Sequence, residues 1–139
     1  LAEAIVDVAR RGDPVFATCA GVILASRRIT GPDRDGLGIL DATAVRNAYG
    51  RQLDSAVVTL ADLDRDALGE EPLEAVSIRA PRLADLGPRV EVLARRDGHP
   101  VLVRQGNVVA ATFHPELAAD PRVHRLAFVS TPAAAPAAR

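Results

Sequence analysis

Several residue types are scarce in this chain, and each shortage excludes a class of protein. Of its 139 residues, one is cysteine, none is methionine or tryptophan, and 3% are aromatic. A single cysteine cannot form an internal disulfide, which predicts the reducing cytoplasm. No apolar run approaches the roughly 18 residues of a membrane span, and no cleavable leader is visible. The lack of methionine predicts that the natural start lies outside this sequence.

Charge and motif content narrow the classes further. The net charge of -1 offers no electrostatic attraction for nucleic acid or a membrane surface. Neither HExxH nor CxxC occurs, so the sequence predicts no metal site, and no cofactor is indicated. A chain that is 48% hydrophobic and 25% charged can still build one domain with a real core. With so few aromatic side chains, that core must be aliphatic.

Hydrophobic periodicity predicts an α/β domain. Helices are predicted over residues 2–11, 20–28 and 120–128. Strands are predicted over residues 14–18, 38–45, 57–60, 73–78, 90–94, 100–103 and 108–113. Turns at Asp97-Gly98 and Gly106-Asn107 make the last three strands a meander. Residues 61–72 are predicted to be a surface connection, and the alanine- and proline-rich residues 131–139 a disordered tail.

Cys19 stands where a nucleophile would have to stand. It follows an apolar strand, residues 14–17, and precedes an apolar helix that begins at Ala20. A strand-to-helix turn lifts the thiol toward a cleft. The helix N-terminus would favour the thiolate over the thiol. The alternative is that Cys19 is a small buried hydrophobic residue, as lone cysteines in apolar segments usually are.

His114 and Glu116 form a second candidate group. They are two residues apart, and on a strand such residues face the same side. The carboxylate could therefore fix the tautomer of the imidazole. Pro115 cannot donate to a sheet ladder, which predicts that the pair lies at the end of a strand. With Cys19 the pair suggests a Cys-His-Glu hydrolytic triad, whereas alone it would be an ordinary surface pair.

Four other side chains stay open on the residues alone. His99 lies in the turn at residues 97–100, which predicts a solvated side chain. His124 lies on the last predicted helix and is predicted to be a surface or packing residue. Arg46 and Arg79 each stand at the end of an apolar strand. Either could bind a substrate carboxylate in bidentate fashion, or could serve solubility only.

Six segments, in order, carry a resemblance to a known family: residues 17–21, 37–41, 46–52, 78–81, 103–107 and 113–117. The most specific are Arg-Asn-Ala-Tyr-Gly-Arg-Gln at 46–52 and Val-Arg-Gln-Gly-Asn at 103–107. On these segments the chain resembles the glutaminase subunits of pyridoxal 5'-phosphate synthase, which are class I glutamine amidotransferases. The resemblance covers nearly everything from residue 15 to residue 128.

The resemblance implies a fold and a set of roles. The fold would be a flavodoxin-like open sheet with flanking helices, with its first strands before Leu1 and residues 1–130 as the glutaminase domain. Cys19 would attack the glutamine amide, His114 would move the proton, and Glu116 would orient His114. Residues 46, 78 and 79 (Arg46, Ile78 and Arg79) would bind glutamine, the isoleucine through its backbone. The ammonia would pass to a (β/α)8-barrel synthase subunit that makes pyridoxal 5'-phosphate.

Three departures from the family bear on these roles. Its Gly-Gly-Glu-Ser loop, which supplies an oxyanion-hole N–H, has no counterpart here, and removing one such donor costs about 10²–10³ in rate. Residues 55–58 lack the family's Phe-Glu, and Ser77 replaces a phenylalanine. Two alternatives therefore stand beside the glutaminase. One is a truncated, non-catalytic domain that only binds the synthase, and the other is a related amidotransferase serving another partner.

Overall fold

The structure is a computed structural model that describes residues 1–46 and 55–129. The predicted tail at 131–139 and most of the 46–52 segment lie outside the described residues. The elements in chain order are α1 (Ala2–Arg10), β1 (Val15–Thr18), α2 (Ala20–Ala25), β2 (Ser26–Thr30), β3 (Arg34–Asp35), β4 (Leu40–Val45), β5 (Ser55–Leu60), β6 (Asp62–Leu63), α3 (Arg65–Leu68), β7 (Leu73–Ile78), β8 (Arg82–Ala84), β9 (Glu91–Arg96), β10 (His99–Gln105), β11 (Val108–Ala111), a 3₁₀ helix (Pro115–Leu117) and α4 (Arg122–Phe128).

The described strands form three sheets. The largest has the order β1-β11-β10-β9-β6, the second has the order β3-β2-β4-β8, and β5 pairs with β7 alone. Within the largest sheet β1 runs parallel to β11, while β10 is antiparallel to both β9 and β11. The result is an α/β arrangement of open sheets with flanking helices, as the sequence predicted. None of the described helices has the length and apolar composition to cross a membrane.

The predicted meander is confirmed, and the residue types of its first turn explain the geometry of that turn. Asp97 and Gly98 both have positive φ, 51° and 81°, which is the geometry of a type I′ hairpin turn. Gly106 also has positive φ, 58°, in the turn between β10 and β11. Asparagine, aspartate and glycine tolerate this left-handed region best, so these turns are readable from residue type.

The second predicted helix is partly wrong. It was expected over residues 20–28, but α2 ends at Ala25 and Ser26–Thr30 form β2. Ser26 turns the chain: its backbone is extended (φ -65°, ψ 155°) and its buried hydroxyl donates to the carbonyl of Val22 at 2.7 Å. Ile29 then pairs with Ala44 of the parallel strand β4. Strand pairing here overrides the local helical pattern.

The surface connection expected at residues 61–72 contains more structure than predicted. It holds β6, which pairs with β9, and α3. Asp64 is the N-cap of α3, and its carboxylate accepts the backbone N–H of Ala67 at 3.0 Å. Leu68 at the end of α3 is buried in the core. An N-cap aspartate before a four-residue helix is too short a pattern to stand out in a sequence.

Two hydrophobic clusters cover opposite faces of the largest sheet. Neighbouring residues on β10 and β11 alternate between the clusters: Leu102 and Val109 belong to one, Val103 and Ala110 to the other. Because successive side chains of a strand point to opposite faces, these two strands are buried on both sides. The first cluster includes α4 and Phe113, and the second includes α2. Among the described residues Phe113 is the one fully buried aromatic side chain, and Phe16 packs partly buried against the first cluster. The core is therefore mostly aliphatic, as predicted from the shortage of aromatic residues.

Candidate active site

Cys19 lies at the turn between β1 and α2, as predicted. It is the N-cap of α2 and has φ 48° and ψ -109°, a left-handed backbone that is strained for any residue except glycine. The turn is held from both sides. The N–H of Cys19 donates to the carbonyl of Ala111 at 2.9 Å, and its carbonyl accepts the N–H of Val22 at 3.0 Å. The strain is thus fixed by β11 and by the first turn of the helix.

The electrostatics of the thiol differ from the expectation. Burial raises the pKa of the Cys19 thiol, a hydrogen bond to the backbone N–H of Ala20 lowers it, and the negative charge of Glu116 raises it. The net pKa is above the ordinary value. The helix N-terminus therefore acts in the predicted direction, but burial outweighs it. At neutral pH the group is a thiol that needs a base.

The Cys19 thiol donates to the main-chain carbonyl of Ile78 at 3.5 Å. Ile78 is the last residue of β7. The residue that follows, Arg79, is exposed and also has positive φ, 47°. The chain therefore turns sharply directly after the carbonyl that meets the thiol. Of the two predicted glutamine-binding positions on this segment, Ile78 contacts Cys19, and Arg79 is the next residue along the chain.

His114 and Glu116 are in contact, but not on a strand. His114 Nδ1 and Glu116 Oε2 are 2.8 Å apart. β11 ends at Ala111, and residues 115–117 form a 3₁₀ helix that has His114 as its N-cap. The expected same-face strand geometry is wrong, and a tight helical turn makes the contact instead. Proline at the first helical position suits such a turn because its φ is already helical.

Glu116 is ionised at neutral pH. Burial works against its charged form, but the hydrogen bond from His114, its own backbone N–H and the charges of His114 and His124 together lower its pKa. The side chain of His114 is 23% exposed and that of Glu116 is 50% exposed. The imidazole is therefore the more enclosed partner of the pair.

Strand β7 joins the two halves of the site. The carbonyl of Val76 accepts the backbone N–H of His114 at 2.8 Å, and the carbonyl of Ile78 accepts the thiol of Cys19. Residues two apart on a strand direct their carbonyls to the same edge. One edge of β7 therefore positions both Cys19 and His114. Val76 was not predicted from the sequence, since its part is played by a main-chain atom that every residue has.

The remaining sequence candidates in the described residues are Arg46, His99 and His124. Arg46 directly follows β4 in the second sheet, and its N–H donates to the carbonyl of Thr30 at 3.2 Å. His99 is the first residue of β10, so its placement in the turn is wrong, but it remains partly exposed, which does not contradict its prediction as a solvated side chain. His124 packs edge-on against Phe16 with ring centroids 5.3 Å apart, in agreement with a packing residue. No group of three or more His, Cys, Asp or Glu side chains in residues 1–46 and 55–129 could hold a metal ion.

Comparison with known proteins places this arrangement in a class. A solved crystal structure of a glutamine amidotransferase aligns with a TM-score of 0.78 and 44% identity, covering 89% of this chain and 64% of that one. The fold is therefore that of a glutamine amidotransferase. The SNO glutamine amidotransferase family model matches residues 1–132, and the chain belongs to that family.

Curated relatives agree with this membership. The chain is 55% identical over 113 residues to pyridoxal 5'-phosphate synthase subunit PdxT of Koribacter versatilis strain Ellin345, covering 81% of this chain and 57% of that protein. It is 50% identical over 123 residues to the protein of the same name from Thermotoga maritima, covering 88% of this chain and 64% of the relative. The chain thus spans about three fifths of the length of these relatives, between 57% and 64%.

Proposed function

We propose that this protein is a glutaminase that hydrolyses L-glutamine to L-glutamate and ammonia, with residues 1–130 forming the glutaminase domain. The observation that carries the proposal is the shared anchoring of two chemical groups on β7. A strained cysteine at a strand-to-helix turn and a histidine paired with a carboxylate at 2.8 Å both bond to carbonyls of that strand. A nucleophile, a base and an orienting carboxylate are the three parts of a hydrolytic triad.

The first step is proton removal from Cys19. In the proposed site the Nδ1–H of His114 donates to the carboxylate of Glu116. This hydrogen bond favours the tautomer of His114 in which Nε2 is unprotonated. Nε2 takes the thiol proton as Sγ attacks the amide carbon of glutamine. His114 then gives that proton to the departing nitrogen, ammonia leaves, and a thioester remains on Cys19. A water molecule, deprotonated by His114, attacks the thioester and releases glutamate with regeneration of the thiol.

Arg46, Ile78 and Arg79 hold the substrate in this proposal. A guanidinium binds a carboxylate through two parallel N–H bonds, which suits the α-carboxylate of glutamine. The Ile78 carbonyl, which accepts from the thiol, lies where a bound substrate could donate to it instead. This exchange would free the thiol for the base as glutamine arrives.

The ammonia has a destination in the proposal. Relatives named subunits of pyridoxal 5'-phosphate synthase, at 55% and 50% identity, support a synthase partner. We propose that this partner is a (β/α)8-barrel subunit in the cytoplasm that uses the ammonia to build pyridoxal 5'-phosphate. Delivery within a complex keeps ammonia from being lost to protonation in water.

Glutamate release by the protein together with its synthase tests the proposal. Cys19→Ala should abolish release while the two proteins still co-elute on size exclusion. Thr59→Ala is a matched control because Thr59 is an exposed residue of β5, on the strand paired with β7. Undiminished release by Cys19→Ala would refute the triad. Co-elution without release by the unsubstituted protein would favour a non-catalytic synthase-binding domain.

A further inference from the structure

A polar groove lies at the end of the largest sheet that is opposite to Cys19. It has a volume of about 410 Å³ and is lined by Val6, Arg10, Leu37, Arg89, Gln105 and Asn107, among others. The parallel pair β1 and β11 fixes its place. Val15 pairs with Val108 at the groove end, and Thr18 pairs with Ala111 next to Cys19. Three residue steps of strand separate the two ends by about 10 Å, so this groove is not part of the triad site.

The walls of the groove are fixed by hydrogen bonds that use specific atoms. The amide nitrogen of Asn107 donates to the carbonyls of Ala9 and Asp13, at 2.9 Å and 2.6 Å, and so ties the C-terminal end of α1 to the turn before β11. The Oε1 of Gln105 accepts the backbone N–H of Asp41 at 2.7 Å. This bond decides the orientation of the Gln105 amide. Its NH₂ group is left as a donor without a partner in the described part of the chain.

The charge of the groove has one sign. Arg10 and Arg89 line it, and no aspartate or glutamate does. The ion pairs of residues 1–46 and 55–129 engage other arginines, such as Arg27 with Asp41 and Arg104 with Glu91. Glu3 and Asp7 line a neighbouring cavity together with Arg10, but neither carboxylate lines this groove. The groove therefore presents two guanidinium groups and an amide NH₂, all of them donors. A site built from donors and positive charge selects an anion with several acceptor oxygens.

We propose that this groove binds a small phosphate monoester, with Arg10, Arg89 and the Gln105 amide donating to its phosphoryl oxygens. A phosphate monoester carries about -1.5 to -2 charge at neutral pH and three acceptor oxygens, which matches two guanidinium groups. A single carboxylate would leave one guanidinium uncompensated. The volume lies within the range of small-molecule pockets, roughly 300–1,000 Å³, and exceeds what a bare phosphate ion would fill. Val6 and Leu37 give the carbon part of the ligand an apolar wall.

The test is calorimetric titration of the protein with glycerol 2-phosphate, in the absence of glutamine and synthase. Saturable binding with a dissociation constant of about 1 mM or tighter is expected at low salt. Arg10→Gln and Arg89→Gln should each weaken it by at least about tenfold, since a hydrogen bond to a charged group contributes that much or more. Arg34→Gln is the matched control, because Arg34 is an exposed residue of β3 in the second sheet.

Gln105→Glu gives the sharpest result. The new carboxylate can still accept the N–H of Asp41, so the local structure is kept, but it replaces the donor by a negative charge. Binding should be lost while the melting temperature stays near that of the unsubstituted protein. Equal losses in Arg34→Gln, binding unaffected by Gln105→Glu, or stronger binding of glutarate than of glycerol 2-phosphate would each overturn the proposal, as would the absence of saturable binding. This titration measures binding only. Its outcome therefore does not depend on whether the protein has glutaminase activity.

Discussion

The thiol of Cys19 donates to the carbonyl of Ile78 across 59 positions of sequence, at 3.5 Å. This bond engages the protonated form of the sulfur, and burial likewise raises the pKa of Cys19. The resting site therefore stores a thiol and not a thiolate. In the proposed reaction the proton must therefore be removed as the sulfur attacks, and the proposal assigns that step to His114.

The raised pKa predicts slow alkylation of Cys19 at neutral pH. Only the thiolate reacts, so the rate with iodoacetamide should keep rising above about pH 8.5, where an unperturbed cysteine is half ionised. Glu116→Gln removes a negative charge that raises the pKa of Cys19, so its midpoint should move to lower pH. Mass spectrometry of the single cysteine measures this without background. A midpoint that is unchanged or higher in Glu116→Gln would contradict the electrostatic argument.

The contact between His114 and Glu116 predicts non-additive losses of glutaminase activity. His114→Ala should reduce kcat nearly as much as Cys19→Ala, by roughly 10⁴-fold or more, and Glu116→Ala by less, as in other triads. The double variant Cys19→Ala with His114→Ala should be no worse than either single one. Glutamate release with saturating synthase is the measurement. A double variant far below both single variants would show that the two residues act in separate steps.

The turn at Cys19 could be predicted from the sequence because side-chain patterns define it. A continuous apolar run, then Cys19, then a second apolar run predicts strand, turn and helix, and Asp97-Gly98 predicts a hairpin just as directly. The contacts that assemble the site are of another kind. The carbonyl of Val76 holds His114, and the carbonyl of Ala111 holds Cys19, through atoms that every residue possesses. No residue pattern marks such atoms. For this reason Ile78 was predicted as a site residue only from the family resemblance, and Val76 was not predicted.

The start of β2 could not be read from local sequence for a related reason. Residues 26–28 continue the helical pattern of α2, and the competing strand pairs with β4, which lies more than ten positions away in sequence. Local periodicity contains no information on that partner. The same holds for the 3₁₀ turn at residues 115–117, where His114 and Glu116 meet by a geometry that their spacing alone does not distinguish from a strand.

We expect the contacts of Arg122 to contribute measurably to the free energy of unfolding. Its guanidinium donates to the carbonyls of Leu68, Glu71 and Pro72 at 2.7–2.8 Å and binds the Asp120 carboxylate. These bonds tie α4 to the segment that enters β7. Lysine keeps the charge but cannot reproduce this fork of donors. Arg122→Lys should lower the free energy of unfolding by about 1–2 kcal/mol, the scale of one charge-assisted hydrogen bond in a partly exposed site.

Urea unfolding of the protein checks this prediction against Arg65→Lys. Arg65 also forms an ion pair, with Glu70 at 3.4 Å, but the two side chains are 75% and 81% exposed. An exposed pair of this kind contributes little, so Arg65→Lys should change the free energy of unfolding by less than about 0.5 kcal/mol. If both variants lost the same amount, the carbonyl contacts of Arg122 would not be stabilising.

We expect substitution by alanine to have opposite effects on stability at Gly36 and at Gly21. A Cβ at Gly36 would overlap the carbonyl oxygen of Ser26 and meet that of Leu24 at 3.0 Å, both main-chain atoms that cannot rotate away. Gly36→Ala must therefore push apart the start of β2 and the loop that follows β3. Forced overlap of this kind costs typically 1–3 kcal/mol, so we expect a clear drop in the urea midpoint.

At Gly21, within α2, the nearest atom to a new Cβ is the Cβ of Ala17 at 3.6 Å, an ordinary contact. Alanine loses less backbone entropy than glycine in a helix, by about 1 kcal/mol. Gly21→Ala should therefore keep or raise the urea midpoint, which makes it the matched control for Gly36→Ala. If Gly21→Ala were as destabilising as Gly36→Ala, the prediction would be wrong. The space between α2 and β1 would then be smaller than the 3.6 Å contact indicates.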